Sequence, residues 1–183
     1  MRQITLLVIC ALMAGLLATT ASAQSADTLK VDYFANANTA SAPDGTLHLT
    51  NPNTNSGNIY AAIYVFDPYQ ELTECCTCRL TPDGLRTLSV NSDLTSNPLT
   101  GVVLTTGLIK VVSSTGPSAS HLVPTAAIRS WTTHIQNSNF AITETASQDA
   151  TLSATEQTRL NAECASIQHV GSGHGICGCG TGD

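Results

Sequence analysis

The sequence predicts a mainly β protein: an antiparallel β-sandwich, immunoglobulin-like or related, with one C-terminal α-helix and a glycine-rich tail tethered by disulfides. Short apolar segments alternate with turns rich in Pro, Gly and Asn, which is typical of a sandwich of about seven strands. One clear helix signal lies near the C-terminus. Two groups of three cysteines, far apart in the chain, indicate covalent links between the helix and tail and the β-rich part.

Residues 1–23 have the three parts of a secretory signal peptide. Arg2 supplies the basic start, residues 4–17 are apolar, and residues 21–23 (Ala-Ser-Ala) form a small-residue cleavage site. The apolar stretch is shorter than the roughly 20 residues that span a bilayer, so a cleaved signal is expected rather than an anchor. One β-rich domain is then predicted over residues 24–183, secreted to the periplasm or the extracellular space and without a transmembrane segment.

The charge of the chain excludes some classes of partner. After cleavage it carries six Lys and Arg against thirteen Asp and Glu, a net charge of −7. Because the cations are scattered, no basic stripe is available to neutralise phosphates, and nucleic acid is not expected as a partner. Ser, Thr and Asn dominate the polar residues, which suits other envelope proteins, glycans or further copies of the chain.

Four segments of the first half read as strands. Residues 29–33 alternate as an edge strand would. Two Pro-Asp-Gly turns each introduce a strand, at residues 46–49 and 85–90. The clearest strand is residues 59–66, where both faces are apolar, so it is predicted to be central and covered on two sides.

The second half is less regular. Short strands are predicted at residues 102–104 and 108–112, separated near Gly107, and at residues 140–143. Residues 125–136 fit either a helical stripe or a strand with one apolar face, and their β-branched threonines favour the strand.

A helix is predicted at about residues 153–168. Ser153 and Glu156 form a capping box, in which each side chain satisfies a free N–H group of the first turn. Apolar positions recur at helical spacing, which places Cys164 on the buried stripe. The tail that follows, residues 169–183, has too few apolar groups to order itself, so a covalent tether is expected.

Six cysteines remain after the signal, which carries Cys10, is removed. They are Cys75, Cys76, Cys78, Cys164, Cys177 and Cys179. An even number in an exported protein indicates disulfides. Neighbouring cysteines pair with each other only through strained rings, so three bonds between a tight loop at residues 75–78 and the helix and tail are predicted. The individual pairing stays open.

A metal site is the alternative use of these residues. His169, His174, Cys177 and Cys179 offer imidazole and thiolate ligands for zinc or copper. Zinc sites commonly use matched Cys-x2–4-Cys pairs, and only Cys75 and Cys78 have that spacing. Disulfides are therefore favoured, and no cofactor is predicted.

A resemblance rests on the two cysteine motifs. Glu74-Cys75-Cys76-x-Cys78 and the Gly-Ser-Gly-His-Gly-x-Cys-x-Cys-Gly tail at residues 171–180 resemble a group of uncharacterised secreted bacterial proteins. The resemblance implies an exported, cysteine-stapled protein and brings no activity with it.

Catalytic signatures are missing from the sequence. Neither Gly-x-Ser-x-Gly, Ser-x-x-Lys nor His-Glu-x-x-His occurs, and the histidines are scattered, at His48, His121, His134, His169 and His174. The sequence therefore predicts a secreted, disulfide-stabilised, non-enzymatic module of structural or adhesion type. A periplasmic metal-binding protein is the alternative. A small secreted hydrolase with a triad assembled in space is a weaker one.

Overall fold

The computed structural model describes residues 28–182, so the predicted signal peptide lies outside the described part of the chain. Within residues 28–182 there are ten strands and one α-helix. These are β1 (Leu29–Ala35), β2 (Thr46–Thr50), β3 (Ile59–Phe66), β4 (Leu72–Leu80), β5 (Leu85–Ser89), β6 (Thr106–Ser114), β7 (Arg129–Gln136), β8 (Ala141–Ala146), β9 (Gln148–Ala150), α1 (Ala154–Val170) and β10 (Thr181–Gly182). No helix in this part is long and apolar enough to cross a bilayer.

The strands form two five-stranded antiparallel sheets. The first has the order β4-β3-β6-β1-β9, and the second has the order β10-β5-β2-β7-β8. The predicted sandwich, the C-terminal helix and the disulfide-tethered tail are confirmed. The strand count is higher than the predicted number of about seven because β4, β9 and β10 were not predicted: β4 was interpreted as a loop, and β9 and β10 are only three and two residues long.

Strand β3 explains why the two faces of the first sheet differ. Ile63 and its alternate neighbours lie in the core between the sheets, whereas Tyr64 lies in a second core beneath α1. The Tyr64 hydroxyl donates a 2.6 Å hydrogen bond to the Ala119 carbonyl. Both faces of β3 are buried, and the strand pairs with β4 and β6, which confirms a central strand covered on both sides.

Helix α1 is confirmed with small changes in its bounds. The Ser153 hydroxyl caps it by accepting the Glu156 N–H at 3.1 Å. Leu160, Cys164 and Ile167 are buried against the first sheet. The helix ends at Val170, because Gly171 adopts a left-handed conformation that glycine tolerates. The ambiguous segment 125–136 contains a strand, β7, as its threonines favoured.

Strand β1 is not an edge strand, contrary to the prediction. It lies between β6 and the short β9, which forms the edge of the first sheet. Strand β9 reads Gln-Asp-Ala and has no apolar alternation, so nothing in its sequence distinguished it from a loop.

The predicted strand at residues 102–104 is also wrong. These residues lie outside the sheets, and Val102 and Val103 are 60% and 66% exposed. Strand β6 begins at Thr106 and continues through Gly107. Two adjacent valines favour a strand locally, but here no partner strand is available to them.

Candidate functional site

The first cysteine group lies in strand β4, not in a tight loop as predicted. Strand pleating sends successive side chains to opposite faces. Cys75 therefore lies in the core beneath α1, while Cys76 and Cys78 lie in the core between the sheets. The Cys-Cys-x-Cys run was interpreted as a tight loop, although its spacing also fits a strand whose two faces lie in different cores.

Three disulfides join this strand to the C-terminal region, as predicted. The pairs are Cys75–Cys164, Cys76–Cys177 and Cys78–Cys179. Their Cα–Cα distances of 5.9, 5.2 and 5.3 Å are ordinary for disulfides. One bond holds α1 on the first sheet. The other two hold the tail, whose last described residues add β10 to the edge of the second sheet beside β5.

Asn97 is the main polar anchor of the tail. Its side-chain amide nitrogen donates to the Gly173 carbonyl at 2.7 Å, and its backbone carbonyl accepts the Gly175 N–H at 2.7 Å. Its side-chain oxygen bonds His174 Nδ1 at 2.9 Å. Gly175 in turn accepts the N–H of Cys75 at 2.8 Å. The tail is thus fastened by hydrogen bonds as well as by sulfur.

The four residues of the metal alternative have other placements. The sulfurs of Cys177 and Cys179 are in disulfides, so they are not thiolates. His174 bonds Asn97, and His169 is exposed near the end of α1. Among the described residues, no group of three or more His, Cys, Asp or Glu side chains is arranged to hold a metal ion.

Glu74 is a buried carboxylic acid beneath the tail anchor. Its side chain is fully buried, Oε1 accepts the Asn97 N–H at 3.1 Å, and Oε2 has no hydrogen-bond partner. Burial raises the pKa of Glu74 to about 7, because removal from water penalises the charged form, and the Asn97 hydrogen bond offsets only part of this. Sequence reasoning missed the burial of this group, since Glu71 and Glu74 beside the cysteine run are explained most simply as solvated residues at the edge of a loop.

We expect Glu74→Gln to change the pH dependence of stability. Because the folded-state pKa lies above its usual value of 4.5, the wild type loses free energy of unfolding as pH rises from about 4.5 to about 7. Gln cannot ionise and keeps an oxygen for the Asn97 N–H. As pH rises from 5 to 8, the free energy of unfolding of the variant should therefore increase by about 2 kcal/mol relative to that of wild type. Urea unfolding at each pH measures the difference. The exposed Glu71→Gln is the control; parallel profiles for wild type and Glu74→Gln would contradict the prediction.

His134 lies in a polar cluster where β1, β7 and β8 meet. Its Nε2 atom is 2.8 Å from the Thr145 hydroxyl and 3.3 Å from Asp32 Oδ1, while Tyr33 stacks on its ring at 4.2 Å. The Nδ1 atom is buried without a hydrogen-bond partner. A hydrolase triad needs the acid on one ring nitrogen and an accessible nucleophile on the other. Here both contacts share one nitrogen and the ring is buried, so the cluster lacks the triad arrangement.

A pocket of about 740 Å³ opens between α1 and the first sheet. Lys110 and Arg159 lie over the Phe66 ring at its wall, and both bond Glu156, at 2.6 and 2.9 Å. The hydrogen bonds from Arg159, which has the largest effect, and from Lys110 lower the pKa of Glu156 to about 2. Since the cations are already paired with Glu156, this network anchors the helix to the sheet.

The outer face of the second sheet carries an aromatic and hydroxyl-rich surface. Strand register places Thr87, His48, Trp131 and Ala146 in one row across β5, β2, β7 and β8. The neighbouring row contains Ser89, Thr46, Thr133 and Glu144. We call these eight residues the platform.

The centre of the platform is ordered by stacking and hydrogen bonds. The rings of His48 and Trp131 stack with centroids 5.1 Å apart. His48 bonds the hydroxyls of Thr46 and Thr87, each at 3.0 Å, and Thr46 donates to Thr133 at 3.0 Å. The two rings and the three threonine side chains are all partly exposed. The alternation Thr-x-His-x-Thr in β2 was the available signal, but pairing it with Trp131 needs the register of strands about 80 residues apart.

Comparison of the chain with protein-family models, with curated proteins and with solved structures found no match.

Proposed function

We propose that the protein is an exported, non-enzymatic binding module of the adhesion type, acting at the cell envelope or in the extracellular space, and that the platform contacts its partner. The observation that carries the proposal is the difference between the two outer sheet faces. Helix α1 and its apolar residues cover the first sheet, whereas the platform leaves aromatic and hydroxyl groups in contact with solvent.

The disulfide framework supports the exported location. Cross-links of this kind persist in oxidising compartments such as the periplasm and the extracellular space. They also make the scaffold rigid, because the helix, the tail and both sheets are joined through β4 and β10. A rigid sheet presents the platform without a large ordering cost on binding.

Binding of the purified, oxidised protein to bacterial cell-envelope preparations tests the proposal. We expect saturable binding that Trp131→Ala weakens and that Tyr69→Ala leaves unchanged. Tyr69 is a suitable control because the residue is 84% exposed on the turn between β3 and β4, outside the platform. Absence of binding, or equal binding by both variants, would overturn the assignment of the platform as the contact surface.

A further inference from the structure

We propose that the ligand of the platform is a neutral oligosaccharide, with Trp131 as the surface on which a sugar ring stacks. This inference rests on the proposed function, since it names the chemistry of the partner for the same surface.

Trp131 is partly exposed, and its cross-strand neighbours on the two sides differ. His48 stacks on one side of the indole, at 5.1 Å between centroids. On the other side the cross-strand neighbour is Ala146, an exposed residue with only a methyl group. The face of an aromatic ring is apolar and electron-rich, so it suits the C–H groups on the face of a sugar ring.

The hydroxyl groups around the ring match a polyol. Thr87, Thr46 and Thr133 are linked through His48 into one chain of hydrogen bonds. A hydroxyl has one donor and two acceptor sites, so each keeps hydrogen-bonding capacity for a ligand after these internal bonds. Because these hydrogen bonds already fix the positions of the threonine hydroxyls, a sugar that binds here contacts hydroxyl groups that are oriented in advance.

Charge and backbone pairing favour a neutral glycan over other partners. Among the eight platform residues the only charged group is the Glu144 carboxylate, in the row next to that of His48 and Trp131. The net charge of the chain is −6, which disfavours anionic polymers. An extended peptide that adds to a sheet needs free backbone groups, whereas β2 and β7, the strands of His48 and Trp131, are each paired on both sides; β8, which carries Ala146 and Glu144, is the edge strand.

A fluorescence titration tests the inference directly, since Trp131 is the only tryptophan. The probes are cellohexaose, chitohexaose and mannohexaose, with hyaluronan as the anionic comparator. We expect a saturable change in emission with at least one neutral probe at a Kd of about 1 mM or tighter, and none with hyaluronan. By calorimetry, Trp131→Ala should weaken binding at least about tenfold and Thr87→Val less, while Tyr69→Ala should have no effect. Circular dichroism verifies the fold of each variant.

Envelope preparations treated with periodate or protease separate this inference from the proposed function. Periodate destroys the vicinal diols of sugars. If the glycan inference holds, protease leaves Trp131-dependent binding intact and periodate abolishes it for glycans with vicinal diols. A 1,4-linked N-acetylhexosamine glycan has no vicinal diol within its chain, so lysozyme treatment abolishes the binding in that case. If binding needs Trp131 but survives periodate and is lost with protease, the ligand is a protein, so the glycan inference fails while the platform remains a binding surface. If no binding depends on Trp131, both proposals fail.

Discussion

Replacing Cys75 and Cys164 together by alanine should lower the free energy of unfolding by about 4 kcal/mol. The bond joins residues 89 positions apart and ties α1 to the first sheet, and both residues are fully buried. Its removal frees the stretch between Cys164 and Cys177 in the unfolded chain, because Cys76–Cys177 stays closed. Its removal also releases the helix that covers Tyr64. Urea unfolding of the two oxidised proteins measures the difference.

The matched control is the pair Cys78→Ala and Cys179→Ala. This bond spans 101 residues, but because Cys76–Cys177 stays closed beside it, its removal frees only a few residues of the unfolded chain and its effect on stability is smaller. It holds only the end of the tail, so amide hydrogen exchange should accelerate near β10 and stay slow in α1. In the Cys75 and Cys164 variant, exchange should accelerate in α1. A free energy of unfolding within about 1 kcal/mol of wild type for the Cys75 and Cys164 variant would contradict the conclusion that this disulfide holds α1 on the first sheet.

Gly107→Ala should destabilise the fold by about 3–4 kcal/mol or prevent folding. Gly107 lies in β6 opposite Phe34, and a Cβ atom there would be 2.2 Å from the Phe66 carbonyl oxygen and 2.6 Å from the Phe34 ring. The carbonyl belongs to the backbone of β3, so it cannot move without disturbing the sheet. Thermal and urea unfolding measure the loss.

Gly101→Ala separates this steric effect from the general cost of replacing glycine. Gly101 has a φ of +70°, and no atom lies within 4 Å of the position of its Cβ. Alanine there bears only the cost of a left-handed backbone, about 1 kcal/mol. Equal losses for the two variants would mean that the close approach of β3, β6 and β1 at Gly107 is wrong.

Local signals were sufficient where a segment determines its own structure. The Ser153 and Glu156 capping box and the apolar alternation of residues 59–66 predicted α1 and β3, because hydrogen bonds and periodicity within one segment specify them. The clustering of the cysteines predicted bonds between the two groups. The division of Cys75 from Cys76 and Cys78 between two cores follows only once β4 is known to be a strand.

Features that depend on partners distant in the chain were not predictable from local patterns. Strands β9 and β10 are too short to show a period and exist because a neighbouring strand accepts them. The burial of Glu74 depends on the loop that carries Asn97 and on the tail above it. The platform depends on register, because nothing near His48 in the sequence indicates that Trp131 stands beside it.

The central claim is that three disulfides join β4 to α1 and the tail. Peptide mapping of the unreduced, thiol-blocked protein tests it. Trypsin cleaves after Lys30, Arg79 and Arg159, so peptides 31–79 and 160–183 each contain three of the cysteines. A second protease that cleaves before Ile and Val then cuts at residues 167, 170 and 176, between Cys164 and Cys177. The account predicts no blocked thiols, and both the fragment with Cys164 and the fragment with Cys177 and Cys179 should stay attached to the β4 fragment. Blocked thiols, or a bond from Cys164 to the tail, would contradict it.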